Sequence, residues 1–191
     1  MKKLTTLLAA LLLAASASAA APQPVPATSL HRLDTVLTDS RATRMTLRDL
    51  AGSPALVTMF YGDCGSACPI VIETLKRTVA ALGPDGRRLR VLLISLDPLR
   101  DTPAQLEQLA AKQHLDPPQF RLAVAKNDAD TRMIAAALGI RYRALTGGEI
   151  GHTARIVLLD ADGTVRAMST RLEAEPDPVL LEQVRAALAS R

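Results

Sequence analysis

Pro54-Ala-Leu-Val-Thr-Met-Phe-Tyr61-Gly-Asp-Cys64-Gly-Ser-Ala-Cys68-Pro69-Ile70 is the stretch on which the fold turns. Its first half, Pro54 to Tyr61, is a short and bounded apolar run, the pattern of a strand buried on both faces. A helix-like stretch follows from Ile70 to Leu82, with Ile70, Val71, Leu75, Val79 and Leu82 at helical spacing and a stop at Gly83-Pro84-Asp85-Gly86. Arg90 to Leu96 is a second apolar run of the strand type. Strand, helix and strand in that order make a parallel crossover unit.

Cys64 and Cys68 are the only cysteines in the chain, and they sit where strand gives way to helix. Such a loop places side chains at the carboxyl edge of a sheet, where α/β proteins carry their chemistry. With Cys68 in the first helical turn and Cys64 just outside it, the two Cα atoms are on the order of 6 Å apart by helical rise. That separation permits a disulfide or a shared soft metal ion. Free amides and the positive end of the helix dipole lower thiol pKa there, so both sulfurs are ready to ionise. The bland alternative is a structural staple, but closing so short a loop stabilises little.

Outward from this unit, Leu33 to Leu37 and Arg44 to Leu47 read as a short hairpin about a polar turn, Thr38-Asp39-Ser40. Thr102 and Pro103 are placed to cap and open a helix running to about Gln113. Phe120 to Ala125 reads as a strand, and Asp128 to Leu138 as a helix ended by Gly139. Arg155 to Asp160 and Thr164 to Ser169 form an antiparallel hairpin about Ala161-Asp162-Gly163, and Pro178 to Ala189 is a closing helix. The expected fold is α/β: a thioredoxin-like mixed sheet with helices on both faces and an N-terminal β-hairpin.

Lys2 and Lys3, an apolar run from Leu7 to Ala15 and the small residues Ala17-Ser18-Ala19 read as an export signal cleaved before Ala20. The run is much shorter than the roughly 20 residues a spanning helix needs. No cysteine lies near the cleavage point to carry a lipid, and no second hydrophobic span follows. The expected organisation is a signal at 1–19, a flexible proline-rich lead-in at 20–32 and one thioredoxin-like domain at 33–191. The mature chain is expected in the periplasm, an oxidising compartment where thiols need a reductant or a metal to stay unpaired. Losing Lys2 and Lys3 lowers the formal charge from +4 to +2. Scattered arginines and only two Phe, two Tyr and no Trp exclude a nucleic-acid surface.

Of three histidines, His152 is the informative one, because Gly151-His152-Thr153 directly precedes the strand from Arg155. In a thioredoxin-like fold the loop entering that penultimate strand faces the start of the first long helix. Two thiolates and an imidazole form a soft set suited to copper: Cys prefers Cu(I), and the nitrogen lets Cu(II) be tolerated. Taken alone, a loop histidine is more often an ordinary surface residue. His31 falls in the extended lead-in and His114 at a helix end, both away from the cysteines. Met59 and Met168 read as strand residues, and a Met in a strand is more often core filler than ligand.

These residues resemble the Sco/SenC family, thioredoxin-like copper chaperones of cytochrome c oxidase assembly, over about residues 33 to 190. Tyr61-Gly-Asp-Cys-Gly-Ser-Ala-Cys-Pro69 is similar to that family's C-P-x-x-C-P loop. Ser95-Leu-Asp-Pro-Leu-Arg-Asp-Thr-Pro103 is similar to its S-x-D-P-x-R-D-T-P segment, and His152 falls at its metal histidine. The resemblance implies copper ligands at Cys64, Cys68 and His152, with Asp97 an acidic residue beside the site. It also implies an acceptor cuproprotein such as an oxidase subunit, a copper donor and a thiol reductant. Asp97 has a structural reading too, as the end of a strand, with Arg100 and Asp101 forming a local ion pair.

The chain departs from the family at Gly65, in place of a proline, and at Gly151, where an aspartate is frequent. Members are commonly tethered to a membrane, whereas this chain reads as released. Delivery to an oxidase, delivery to another cuproenzyme and thiol reduction of an apo-oxidase all stay open. The competing function is a thiol-disulfide oxidoreductase in which Cys64 attacks a substrate disulfide and Cys68 resolves the mixed disulfide. A thiol peroxidase is a weaker third option.

Overall fold

The strand read from Pro54 to Tyr61 is β3 (Ala55–Phe60), and every one of its six residues is buried. Burial on both faces explains why the run shows no alternation. Its one polar member, Thr58, donates its hydroxyl to the Arg155 carbonyl at 2.7 Å. The computed structural model describes residues 25–63, 67–171, 173 and 175–190. The export signal and the first part of the lead-in lie outside the described residues.

Before β3 come β1 (Leu37–Asp39) and β2 (Arg44–Met45). After it come α1 (Ala67–Ala81), β4 (Arg90–Ser95), α2 (Pro103–Lys112), β5 (Phe120–Ala125) and α3 (Asp128–Ala137). The chain continues through β6 (Tyr142–Ala144), β7 (Ile150–His152), β8 (Ile156–Leu159), β9 (Val165–Ser169) and α4 (Pro178–Ala189). Seven strands form one sheet in the order β2-β1-β5-β4-β3-β8-β9, while β6 and β7 form a separate two-stranded sheet.

The centre of the large sheet is parallel: β3 pairs with β4 from Ala55–Arg90 to Phe60–Ser95, and β4 pairs with β5 from Val91–Phe120 to Ile94–Ala123. β1 closes antiparallel on β5, and β8 and β9 extend the other side antiparallel from β3. Two right-handed crossovers stepping the same way set α1 and α2 on one face, and Lys76 Nζ of α1 reaches the Gln113 carbonyl just after α2. α4 joins α1 through Arg185, which donates to the Ala81 carbonyl at 3.2 Å. α3 lies against β5 and buries Thr131, Ile134 and Ala135. It covers the opposite face.

The helix starts follow local chemistry. Thr102 and Gln105 form a reciprocal capping box with Pro103 at the first helical position of α2. Asn127 caps α3 by accepting from the Asp130 amide, and Asp177 caps α4 by accepting from the Val179 and Leu180 amides.

Three expectations change. The first hairpin turns later than read: Thr38 and Asp39 belong to β1, and the Asp39 carboxylate folds over the turn to accept the Arg41 and Thr43 amides at 3.0 and 2.8 Å. Aspartate favours turns because its side chain bonds amides two residues on, and here it does so from the strand end. His31, read as part of an extended lead-in, instead sits in a 3-10 turn, Leu30–Arg32, at 3% exposure. Its ring lies against Gly163, where an added Cβ would come within 2.5 Å. The segment before Arg155, read as a loop, contains the β6–β7 hairpin.

Candidate functional site

β3 ends at Phe60, and the chain leaves the carboxyl edge of the parallel core through Tyr61, Gly62 and Asp63. Cys64 lies outside the described residues. Cys68 is the second residue of α1, so its main chain occupies the first helical turn expected from sequence. Amides in that turn have no partner within the helix, and the positive dipole end favours an anion there.

His152 is the last residue of β7 and pairs across the small hairpin with Tyr142. Its ring meets the Tyr61 ring edge to face, with centroids 6.1 Å apart and planes at 83°. The fold thus carries His152 to the residue three positions before Cys64. Nδ1 lies 3.4 Å from the Thr153 carbonyl; a carbonyl only accepts, so a hydrogen bond there requires the tautomer with the proton on Nδ1, which leaves the lone pair on Nε2. Burial lowers the pKa of the ring, against a smaller opposing effect of the Thr153 carbonyl. A neutral imidazole is the form that ligates metals.

Asp97 is 7% exposed and lies just past the end of β4. Its carboxylate is held by the Arg100 guanidinium through Nε, and Oδ1 accepts the Arg100 amide at 3.2 Å. The local pair expected between Arg100 and Asp101 is therefore replaced by Arg100 with Asp97.

Asp101 is committed elsewhere. At 8% exposure, its Oδ2 accepts the Gly62 amide at 2.9 Å and the Ser95 hydroxyl at 2.5 Å. Burial raises its pKa; the bonds from Ser95 and Gly62 act against that. Together with Gly62, Asp63, Arg100, Gln105, Leu106 and Leu109 it lines a cavity of about 300 Å³ at the exit of β3. Sequence reasoning missed this role, although an acid one position before the Thr102 cap, close after a strand, was the available signal.

The other candidates stay apart from this edge. Met59 is core at 1% exposure, and Met168 points outward from β9. His114 is exposed with a positive φ just past α2. Among the described residues no group of three His, Cys, Asp or Glu side chains could hold a metal, and no helix is long and apolar enough to cross a membrane.

A protein from Stutzerimonas stutzeri named as a candidate copper-binding protein is 26% identical over 115 residues, 56% of this chain and 54% of that one. The chain therefore spans about half the length of this curated relative. Among solved structures, a candidate electron transfer protein from Aquifex aeolicus superposes with a TM-score of 0.75 at 21% identity, covering 84% of this chain and 93% of the other. ScoI from Bradyrhizobium japonicum, solved with copper bound, superposes with a TM-score of 0.65 at 23% identity, covering 80% and 94%. These superpositions establish the thioredoxin-like fold. The SCO1/SenC family model matches residues 28–189, and the chain belongs to that family.

Proposed function

We propose that this chain is an exported, periplasmic copper-binding assembly factor that holds one copper as cargo through Cys64, Cys68 and His152. It passes the ion to an acceptor cuproprotein such as a cytochrome c oxidase subunit. The observation that carries this reading is the Tyr61–His152 ring contact, which joins the one distant imidazole to the loop that leads into the cysteine pair. The copper-bound ScoI structure of the same fold supports the choice of metal. Two sulfurs and a neutral imidazole form a donor set of the softness copper requires.

Transfer then proceeds by ligand exchange. A three-ligand site at a loop leaves a coordination position at which the acceptor's own donors enter before these leave. Both sulfurs must be thiolates, so a Cys64–Cys68 disulfide blocks loading until a thiol reductant supplies two electrons and two protons. Asp97 acts from beside the site by holding Arg100.

A second reading, thiol-disulfide exchange on the cysteines of an apo-metalloprotein, is favoured by the placement of Cys68 in the first turn of α1. It requires no histidine. Metal analysis of the reduced mature protein separates the two. One Cu(I) per chain is expected, lost in Cys64→Ser and Cys68→Ser, with an altered Cu(II) spectrum in His152→Ala. No Cu(I) uptake, or an unchanged Cu(II) spectrum in His152→Ala, overturns the ligand assignment. Turnover of a disulfide substrate that survives His152→Ala and dies in Cys64→Ser would favour the oxidoreductase.

A further inference from the structure

We infer that the turn after β4 is a two-sided clamp, in which the adjacent residues Arg100 and Asp101 are positioning residues that fix the His152 hairpin and the Tyr61–Asp63 segment, which leads to Cys64, relative to each other. The functional meaning of the clamp rests on the reading of Cys64, Cys68 and His152 as one metal site.

One side grips the loop. The Asp101 carboxylate sits directly behind Gly62, two residues before Cys64, and accepts its amide at 2.9 Å. The fit leaves no room for a side chain: a Cβ on Gly62 would lie 2.5 Å from Asp101 Oδ1. The other side grips the hairpin. Arg100 Nη2 donates to the Gly148 carbonyl at 2.5 Å, four residues before His152, while Nε of the same guanidinium is held by Asp97. Gly148 has a φ of +84°, and a Cβ there would meet Arg100 Nη1 at 3.0 Å, so glycine suits this contact twice over.

The two sides are joined through one hydroxyl. Ser95 Oγ donates to Asp101 Oδ2 and accepts the Asp97 amide at 2.9 Å, and the Asp101 amide returns to the Asp97 carbonyl at 2.9 Å. Ser95 is the last residue of β4, so the clamp is rooted in the central sheet. Bridging two acceptors at different angles uses the planar guanidinium fork, which an ammonium lacks. The arginine side chain is about half exposed, and exposed ion pairs add little to global stability. Its effect falls on placement instead.

The test is amide hydrogen exchange on the reduced, copper-free mature protein, followed by Cu(II) spectroscopy. Arg100→Ala is expected to speed exchange across residues 142–152 about tenfold or more, with β3 and β4 unchanged, and Arg100→Lys should not restore it. Asp101→Ala should speed exchange of the Gly62 amide by a similar factor, while Asp101→Asn, which keeps an acceptor oxygen, stays near wild type. If Asp101→Ala fails to fold, Ser95→Ala loosens the same carboxylate and should move Gly62 in the same direction. With copper, Arg100→Ala should shift the Cu(II) spectrum toward that of His152→Ala. Wild-type exchange at the hairpin and at Gly62 in these variants overturns the clamp. A wild-type Cu(II) spectrum indifferent to His152 ends the metal reading alone, and the exchange rates still decide the clamp.

Discussion

Tyr61 and His152 lie 91 positions apart in the chain, yet their rings meet edge to face at 6.1 Å. The contact ties the exit of a core strand to the end of a peripheral hairpin. Tyr61 is 7% exposed, so it is core and gasket at once. Tyr61→Phe should keep the packing and the ring-current shift of the His152 ring protons in NMR spectra. Tyr61→Ala should abolish that shift and cost about 3 kcal/mol or more in urea denaturation, as large-to-small core changes do.

Copper uptake should follow thiol state. Under the proposed function, protein oxidised to a Cys64–Cys68 disulfide is expected to retain less than about a tenth of the copper held by reduced protein, since the thiolate is the ligand. Reduction should restore the full amount. Metal analysis after gel filtration at each state checks it, and equal loading of both forms would count against the thiolates as ligands.

His31 gives stability a pH dependence near neutrality. Its Nε2 is buried without a hydrogen-bond partner among the described residues, and burial lowers its pKa; Asp162 opposes this shift and Arg48 adds to it. In the window between the folded pKa and the ordinary value of 6.5, the unfolded chain binds the extra proton. Stability should therefore be complete above about pH 6.5 and decline as pH falls below it. His152 shifts in the same direction through its own burial. Thermal unfolding of His31→Gln between about pH 5 and 7.5 should show a shallower slope than wild type.

Asp39 should matter more than a turn residue does. Burial alone would raise its pKa, but the Arg121 guanidinium at 2.6 Å and the Thr43 and Arg41 amides outweigh it and hold the carboxyl below its usual range. Asp39→Ala should cost about 2 kcal/mol at pH 7, since it leaves the Arg41 and Thr43 amides and the partly exposed Arg121 without their acceptor. A lowered folded pKa contributes stability above the unfolded value of 3.8 that is lost as pH falls through the folded one, so the gap between wild type and variant should narrow in acid.

Two glycines at nearly the same φ should respond differently to a methyl group. At Gly52, φ +80°, an added Cβ meets nothing within 4 Å, and Gly52→Ala should cost about 1 kcal/mol of backbone strain. At Gly163, φ +82°, the same methyl would come within 2.5 Å of His31 Cγ and Ser29 Oγ. Gly163→Ala should cost at least about 3 kcal/mol, with packing against His31 supplying the difference.

Elements with long, strongly patterned sequences are legible in the sequence. Phe120–Ala125 and Pro178–Ala189 agree residue for residue with their sequence readings, and β3, β4 and α1 agree to within a few positions. What escaped is non-local. β6 is three partly exposed residues with no alternation, steadied by Tyr142, whose hydroxyl donates to Asp128, and by Leu145 packed over Gly151. His31 is buried by a turn 132 positions away, which its neighbours in sequence cannot reveal. Adjacency in sequence pairs Arg100 with Asp101, whereas space gives Arg100 to Asp97 and Asp101 to Gly62.

Among the described residues, the strand that ends in His152 is laddered only to β6, in a sheet separate from the seven-stranded one. An imidazole mounted on such an outrigger can travel as a unit without undoing any pairing in the central sheet. Such an excursion surrenders the aromatic seat at Tyr61, the guanidinium tether at Gly148 and the bond from the Tyr142 hydroxyl to Asp128. Under the proposed function, the toll for engaging or releasing a guest therefore falls on these peripheral contacts and not on the ladders of the central sheet.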